Sequence, residues 1–163
     1  MTREIVTLDG SEFHFRPYTL PELGPDDVRV SVRFAAPKHG TETHSISGSA
    51  FGTKHWNPDL RMFLPRPADA PAPASGERGI GNMIVGTVAE TGSAVTAFKP
   101  GDRVFGYGQI REMHQAPAAS LWRADGLSDS NAVSIDPAHV AFVAVRDGNI
   151  RIGDTVAVYG LGA

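Results

Sequence analysis

Apolar positions fall in short runs. Residues 4–8 and 12–18 read as two strands joined at Asp9-Gly10, a dipeptide suited to a hairpin turn. From Asp27 to Phe34 the alternation is strict, with Val28, Val30, Val32 and Phe34 on one face and Arg29, Ser31 and Arg33 on the other. That period of two predicts a half-buried antiparallel strand. Residues 35–48 lose the period and predict a loop leading into a short helical turn. Residues 49–81 are irregular. Pro65, Pro67, Pro71 and Pro73 exclude a continuous helix, so a long surface excursion is expected. Its Phe51, Trp56 and Phe63 either pack the loop or wall a pocket.

Order returns at Ile84-Val85-Gly86-Thr87-Val88, a strand in which Gly86 predicts a bulge or a close backbone approach. Lys99-Pro100-Gly101-Asp102 has the residues of a type II turn, and Val104-Phe105 opens the next strand. Arg111-Glu112-Met113-His114 leads towards another. Asp136-Pro137 predicts a helix, with Asp as N-cap and Pro at the first helical position. Val140, Val143 and Ala144 share a face, and Gly148 suits the C-terminal end. A turn at Gly153-Asp154 then precedes a predicted strand from Thr155 to Tyr159. The pattern is many short strands, one clear helix near the end, and no repeat.

Composition narrows the classes. The 163 residues suit one domain, and 41% hydrophobic with 20% charged residues excludes general disorder. Gly 18 and Pro 12 argue for many turns and against a helical bundle. The absence of Cys excludes disulfides and thiolate metal sites. A net charge of −3 without a basic patch argues against nucleic acid and anionic membrane as partners. The longest apolar run, Val140 to Val145, is far short of the ~20 residues that span a bilayer. No apolar stretch follows Met1-Thr2-Arg3-Glu4, so no secretory signal is read and the default compartment is the cytoplasm.

Six segments occur in the order found in one family. They are Leu23-Gly24-Pro25-Asp26-Asp27-Val28-Arg29-Val30, His39-Gly40-Thr41-Glu42-Thr43-His44, Gly81-Asn82-Met83 with Gly86-Thr87-Val88 and Gly92, Phe98-Lys99-Pro100-Gly101-Asp102-Arg103-Val104, Asp136-Pro137, and Gly160-Leu161-Gly162-Ala163. Together they resemble the medium-chain, zinc-type alcohol and polyol dehydrogenases over essentially the whole chain. The resemblance implies a mainly β fold with few helices. It would be a GroES-like, partly open β-barrel over residues 1–153, with the long loop 49–81. Residues 154–163 would be the first strand and turn of a truncated Rossmann domain.

It also implies chemistry. In this family zinc acts as a Lewis acid on the substrate oxygen while hydride passes to NAD or NADP. By position the ligands here would be His39, Asn82 and Asp136. His stands where the family has Cys, Asn where it has His, and Met83 where it has Glu. Each has a plain alternative: a loop histidine, a turn residue before a core methionine, and a helix N-cap. Thr41 and His44 match the family's proton relay, a hydroxyl followed by an imidazole, against the alternative of a polar surface loop. Gly160 and Gly162 match the opening of the cofactor's glycine turn; the rest of that site is not in the chain. The expected function is the catalytic domain of an NAD(P)-dependent dehydrogenase that acts on a small alcohol or carbonyl and is inactive as the isolated chain. A zinc-free quinone or alkene reductase and a non-catalytic GroES-like fragment stay open, as does a homo-oligomer.

Overall fold

In the computed structural model, which describes residues 2–8, 12–38, 40, 42, 53–67 and 76–158, most regular structure is β. The strands are β1 (Thr2–Thr7), β2 (Phe13–Tyr18), β3 (Asp27–Ala36), β4 (Lys54–Asn57), β5 (Met62–Pro65), β6 (Arg78–Gly79), β7 (Met83–Thr91), β8 (Arg103–Tyr107), β9 (Met113–Pro117) and β10 (Leu121–Arg123). After β10 come α1 (Asp129–Val133) and α2 (Ile135–Asp147). The mainly β expectation holds.

The strands form a five-stranded sheet in the order β10-β8-β7-β3-β9, a three-stranded sheet β2-β1-β6, and the pair β4-β5. All pairings are antiparallel. β1 and β2 pair from Thr2↔Tyr18 to Thr7↔Phe13, as the first two predicted strands require. The first two sheets are stitched where Ile5 donates to the Ile110 carbonyl (3.0 Å) and Glu112 to that of Arg3 (2.9 Å). The buried Glu4 carboxylate sits at that seam, accepting from Arg16 (2.5 Å) and Arg111 (2.7 Å).

The core lies on both faces of the large sheet. Val28, Val30, Ile84, Val88, Phe98, Val104, Ala116 and Leu121 fill one side. Met83, Val85 and Phe105 meet Ala124 and the Ala132 and Val133 of α1 on the other. A strand covered on both sides needs a continuous apolar run, which Met83-Ile84-Val85 supplies. Met83 is therefore a core residue. Gly86 sits where β3 passes closest. A Cβ there would lie 2.2 Å from the Ser31 carbonyl oxygen, so the close approach read from the sequence is real. The 99–102 turn forms as expected, with Gly101 at φ 93° and Asp102 N–H on the Lys99 carbonyl (3.1 Å).

Four expectations need correction, and two short elements were not foreseen. Phe34 does not follow Val28 and Val30 into the core: the β3–β7 register shifts between Val32 and Phe34, and the ring is left exposed. The 49–81 excursion is not irregular throughout, because β4 and β5 form a hairpin in which Trp56 and Phe63 pack edge to face, 5.1 Å apart. α1 and β10 went unread; both are too short to show a period. Asp136 is not the N-cap. The cap lies two residues earlier, at Ser134, the helix begins at Ile135, and the Asp136 carboxylate accepts from Lys38, Asn82 and Tyr107 instead. The strand predicted from Thr155 is not formed at 155–158, since no described neighbour offers it a hydrogen-bonding ladder.

Candidate functional site

Three distant stretches converge on the Asp136 carboxylate. Lys38 lies two residues beyond β3, Asn82 directly precedes β7, Tyr107 ends β8, and Asp136 stands in the first turn of α2. Asn82 is fixed by its backbone, whose N–H donates to the Ala36 carbonyl (3.0 Å) and whose carbonyl accepts from Gly108 N–H (3.0 Å). The preceding Gly81 has φ 131° and presses against the backbone of Gln109 and Ile110, an arrangement that excludes a side chain. α2 is set in place by α1, whose N-cap Ser128 accepts from Asn131 N–H (3.1 Å) and whose Asp129 accepts from Arg33 and Arg103 (both 2.7 Å).

The carboxylate accepts three hydrogen bonds. Oδ2 accepts from Lys38 Nζ (2.8 Å) and Asn82 Nδ2 (2.9 Å), and Oδ1 accepts from the Tyr107 hydroxyl (2.8 Å). Asp136 is only 7% exposed, whereas the Lys38 side chain is 38% exposed. The hydrogen bond from Lys38 comes first in holding the Asp136 carboxyl at about 2, below its ordinary 3.8; burial opposes it, and Tyr107 and Asn82 add to it. The same contact pushes the Tyr107 phenol up, with burial adding to the shift. Asp136 also lines a cavity of about 340 Å³, walled by Met83, Phe105, Tyr107, Trp122 and His139. Trp122 stacks on Phe105 (5.6 Å) and meets Tyr107 edge on (6.3 Å). The result is a largely aromatic hollow with one charged wall.

Of the residues singled out from the sequence, Asn82 and Asp136 are brought together. His39, Thr41, His44, Gly160 and Gly162 lie outside the described residues. Lys38 and Tyr107 were missed. Tyr107 is flanked by Gly106 and Gly108, and Lys38 neighbours His39, but no spacing ties either to Asp136.

The zinc that the resemblance implies does not fit Asn82 and Asp136 as they stand. A carboxylate only accepts, so Asn82 must present its NH₂ to Asp136, and its remaining amide oxygen is neutral and outside the usual nitrogen, thiolate and carboxylate donors of zinc. An ammonium already neutralises Asp136 and would repel a divalent ion there. Glu112 pairs with Arg3, Glu42 accepts from Gly81 N–H (3.1 Å), and His114 sits in the large sheet opposite Val30 with its Nδ1 buried and unpartnered. Among the described residues no three His, Asp or Glu side chains gather to hold a metal ion.

Comparison with known proteins places this geometry in context. The family described as the alcohol dehydrogenase GroES-like domain matches residues 24–126. D-guloside 3-dehydrogenase of Escherichia coli strain K12 is 44% identical over 144 residues, covering 85% of this chain and 41% of that protein. L-threonine 3-dehydrogenase of Chelativorans sp. is 35% identical over 91 residues, which is 56% of this chain and 21% of the relative. In structure, 2R,3R-butanediol dehydrogenase from Bacillus subtilis superposes with a TM-score of 0.70 at 20% identity, over 99% of this chain and 52% of that one, a likeness of fold alone. The chain thus spans well under two thirds of the relatives it matches.

Proposed function

Because the chain belongs to the alcohol dehydrogenase GroES-like domain family, we propose that it forms the substrate-binding part of an NAD(P)-dependent dehydrogenase that converts a secondary alcohol of a polyhydroxylated, sugar-like molecule to a ketone. The observation that carries this reading is the Asp136 carboxylate, paired with Lys38, in the wall of a cavity otherwise lined mainly by aromatic and aliphatic side chains. The similarity to a D-guloside 3-dehydrogenase supports a glycoside as substrate. Aromatic rings such as Trp122 and Tyr107 suit the C–H faces of a sugar ring, and the polar wall suits its hydroxyls. In the reaction the alcohol carbon loses a hydride and its hydroxyl loses a proton. A nicotinamide cofactor supplies the hydride acceptor, in a dinucleotide domain whose glycine turn Gly160 and Gly162 would open. Thr41 and His44 are proposed to take up the proton. The zinc-free reading is favoured over the zinc-dependent one by the Asp136–Lys38 pair, although that pair says nothing for quinones or alkenes as substrates.

The test is a nicotinamide-reduction assay on the full-length protein with NAD or NADP. Its substrates would be D-gulosides, simple secondary alcohols and, in reverse with reduced cofactor, quinones and enones. Reduced cofactor should accumulate with a D-guloside or a related glycoside. Turnover restricted to quinones or enones would overturn the alcohol reading, and binding without any turnover would leave the non-catalytic domain as the answer.

A further inference from the structure

We propose that the Lys38 ammonium binds the reacting oxygen of the substrate, in the place where the resemblance puts a zinc ion; this rests on the dehydrogenase reading above. An oxygen passing between hydroxyl and carbonyl as hydride leaves carries alkoxide character, and a cation within hydrogen-bond reach stabilises that charge. Lys38 has the means. An ammonium carries three N–H donors and no acceptor. The structure shows one donor given to Asp136 Oδ2 (2.8 Å), and the side chain is 38% exposed, open to a solute.

Its anchor is itself held by hydrogen bonds. Asp136, the anchor, is gripped by the Tyr107 hydroxyl and Asn82 Nδ2 and lines the cavity that the substrate would fill. A charge held in advance by fixed partners needs no reorganisation when the transition state forms. Charge balance points the same way. Lys38 and Asp136 cancel, Asn82 adds a neutral donor, and the nearby Glu42 is turned to Gly81 N–H and lies 3.8 Å from Arg78. The amide at position 82, which would be a defect in a metal centre, is here a brace for the carboxylate that positions the lysine. Lys38 forms no covalent bond in this scheme. The hydride acceptor and the proton route stay those of the dehydrogenase reading.

The experiment uses the full-length enzyme, first assayed for turnover and then for metal content by elemental mass spectrometry, before and after dialysis against a strong chelator. Expected are full activity after dialysis and zinc well below one per subunit. Lys38→Met should lower kcat by about 100-fold or more, as removal of a transition-state donor does, with KM changed only a few-fold and circular dichroism unaltered; Lys38→Arg should recover part of the loss. Stoichiometric zinc whose removal abolishes turnover would overturn the inference, and so would a folded Lys38→Met enzyme of near wild-type kcat. If Lys38→Met does not fold, Lys38→Gln, which keeps a neutral donor for Asp136, takes its place, and near wild-type kcat in that folded variant overturns the inference. A wild type that oxidises no alcohol overturns the dehydrogenase reading and this inference with it, whereas turnover that runs on zinc overturns this inference alone.

Discussion

Asp136 shows how little of a side chain's task its neighbours in sequence reveal. Asp before Pro reads as a helix cap, and position alone reads as a metal ligand. The carboxylate instead collects donors that lie 98, 54 and 29 residues away in the chain. Neither composition nor periodicity encodes such meetings, which is why Lys38 and Tyr107 escaped the sequence while Asn82 and Asp136 were found by their order among family segments. The pairing has a measurable pH signature. With the folded carboxyl at about 2 against an ordinary 3.8, the native state is favoured while the carboxylate is charged in both states. That advantage, on the order of 2 kcal/mol, is fully present above the unfolded value and fades as pH falls towards the folded one. Urea unfolding of wild type and Asp136→Asn should therefore differ by about 2 kcal/mol near neutrality, and the gap should close as the pH approaches about 2. A gap that does not change with pH would mean that the cost of the substitution is packing alone.

Strands were more legible than residues, and the reason is burial. β3 and β7 carry their apolar residues at strand spacing because one or both faces are covered, so Val28, Val30, Ile84 and Val88 announce themselves. The pattern fails where the pairing shifts register, as at Phe34, or where an element is as short as β10 or α1. Gly86 was legible as an interruption, and its replacement should be costly. Gly86→Ala would drive a methyl group into the Ser31 carbonyl, which is backbone and cannot swing aside. A loss of roughly 2–4 kcal/mol, read from the urea midpoint, is expected of such a clash. The seam between the sheets makes a second prediction. Burial pushes the Glu4 carboxyl up, but hydrogen bonds from Arg16 and Arg111, and their charges, leave it below its usual 4.5. Glu4→Gln should cost roughly 2 kcal/mol at neutral pH, less than a wholly buried pair because Arg16 is half exposed. Its penalty should shrink in acid, where wild type also loses the charge.

Across the molecule, stability is unevenly spread. The large sheet is packed on both sides, whereas α2 is buried only at Asp136, and Val140, Phe142 and Val145 are 54%, 62% and 60% exposed. Amide hydrogen exchange on residues 1–163 should follow this division, with Val30 and Val88 slowest and residues 140–147 much faster. Equal protection in both regions would contradict it. Residues 140–145 of α2 are apolar without interruption, and what covers them is a property of assembly and not of the helix. One consequence concerns mechanics. A helix is stiff along its axis and rises about 1.5 Å per residue, so Val145 stands some 14 Å out from Asp136 on a single rod. Whatever settles on those outward methyl and phenyl groups levers the root of that rod, and tilting the root by a few degrees would swing the carboxylate and carry the lysine with it.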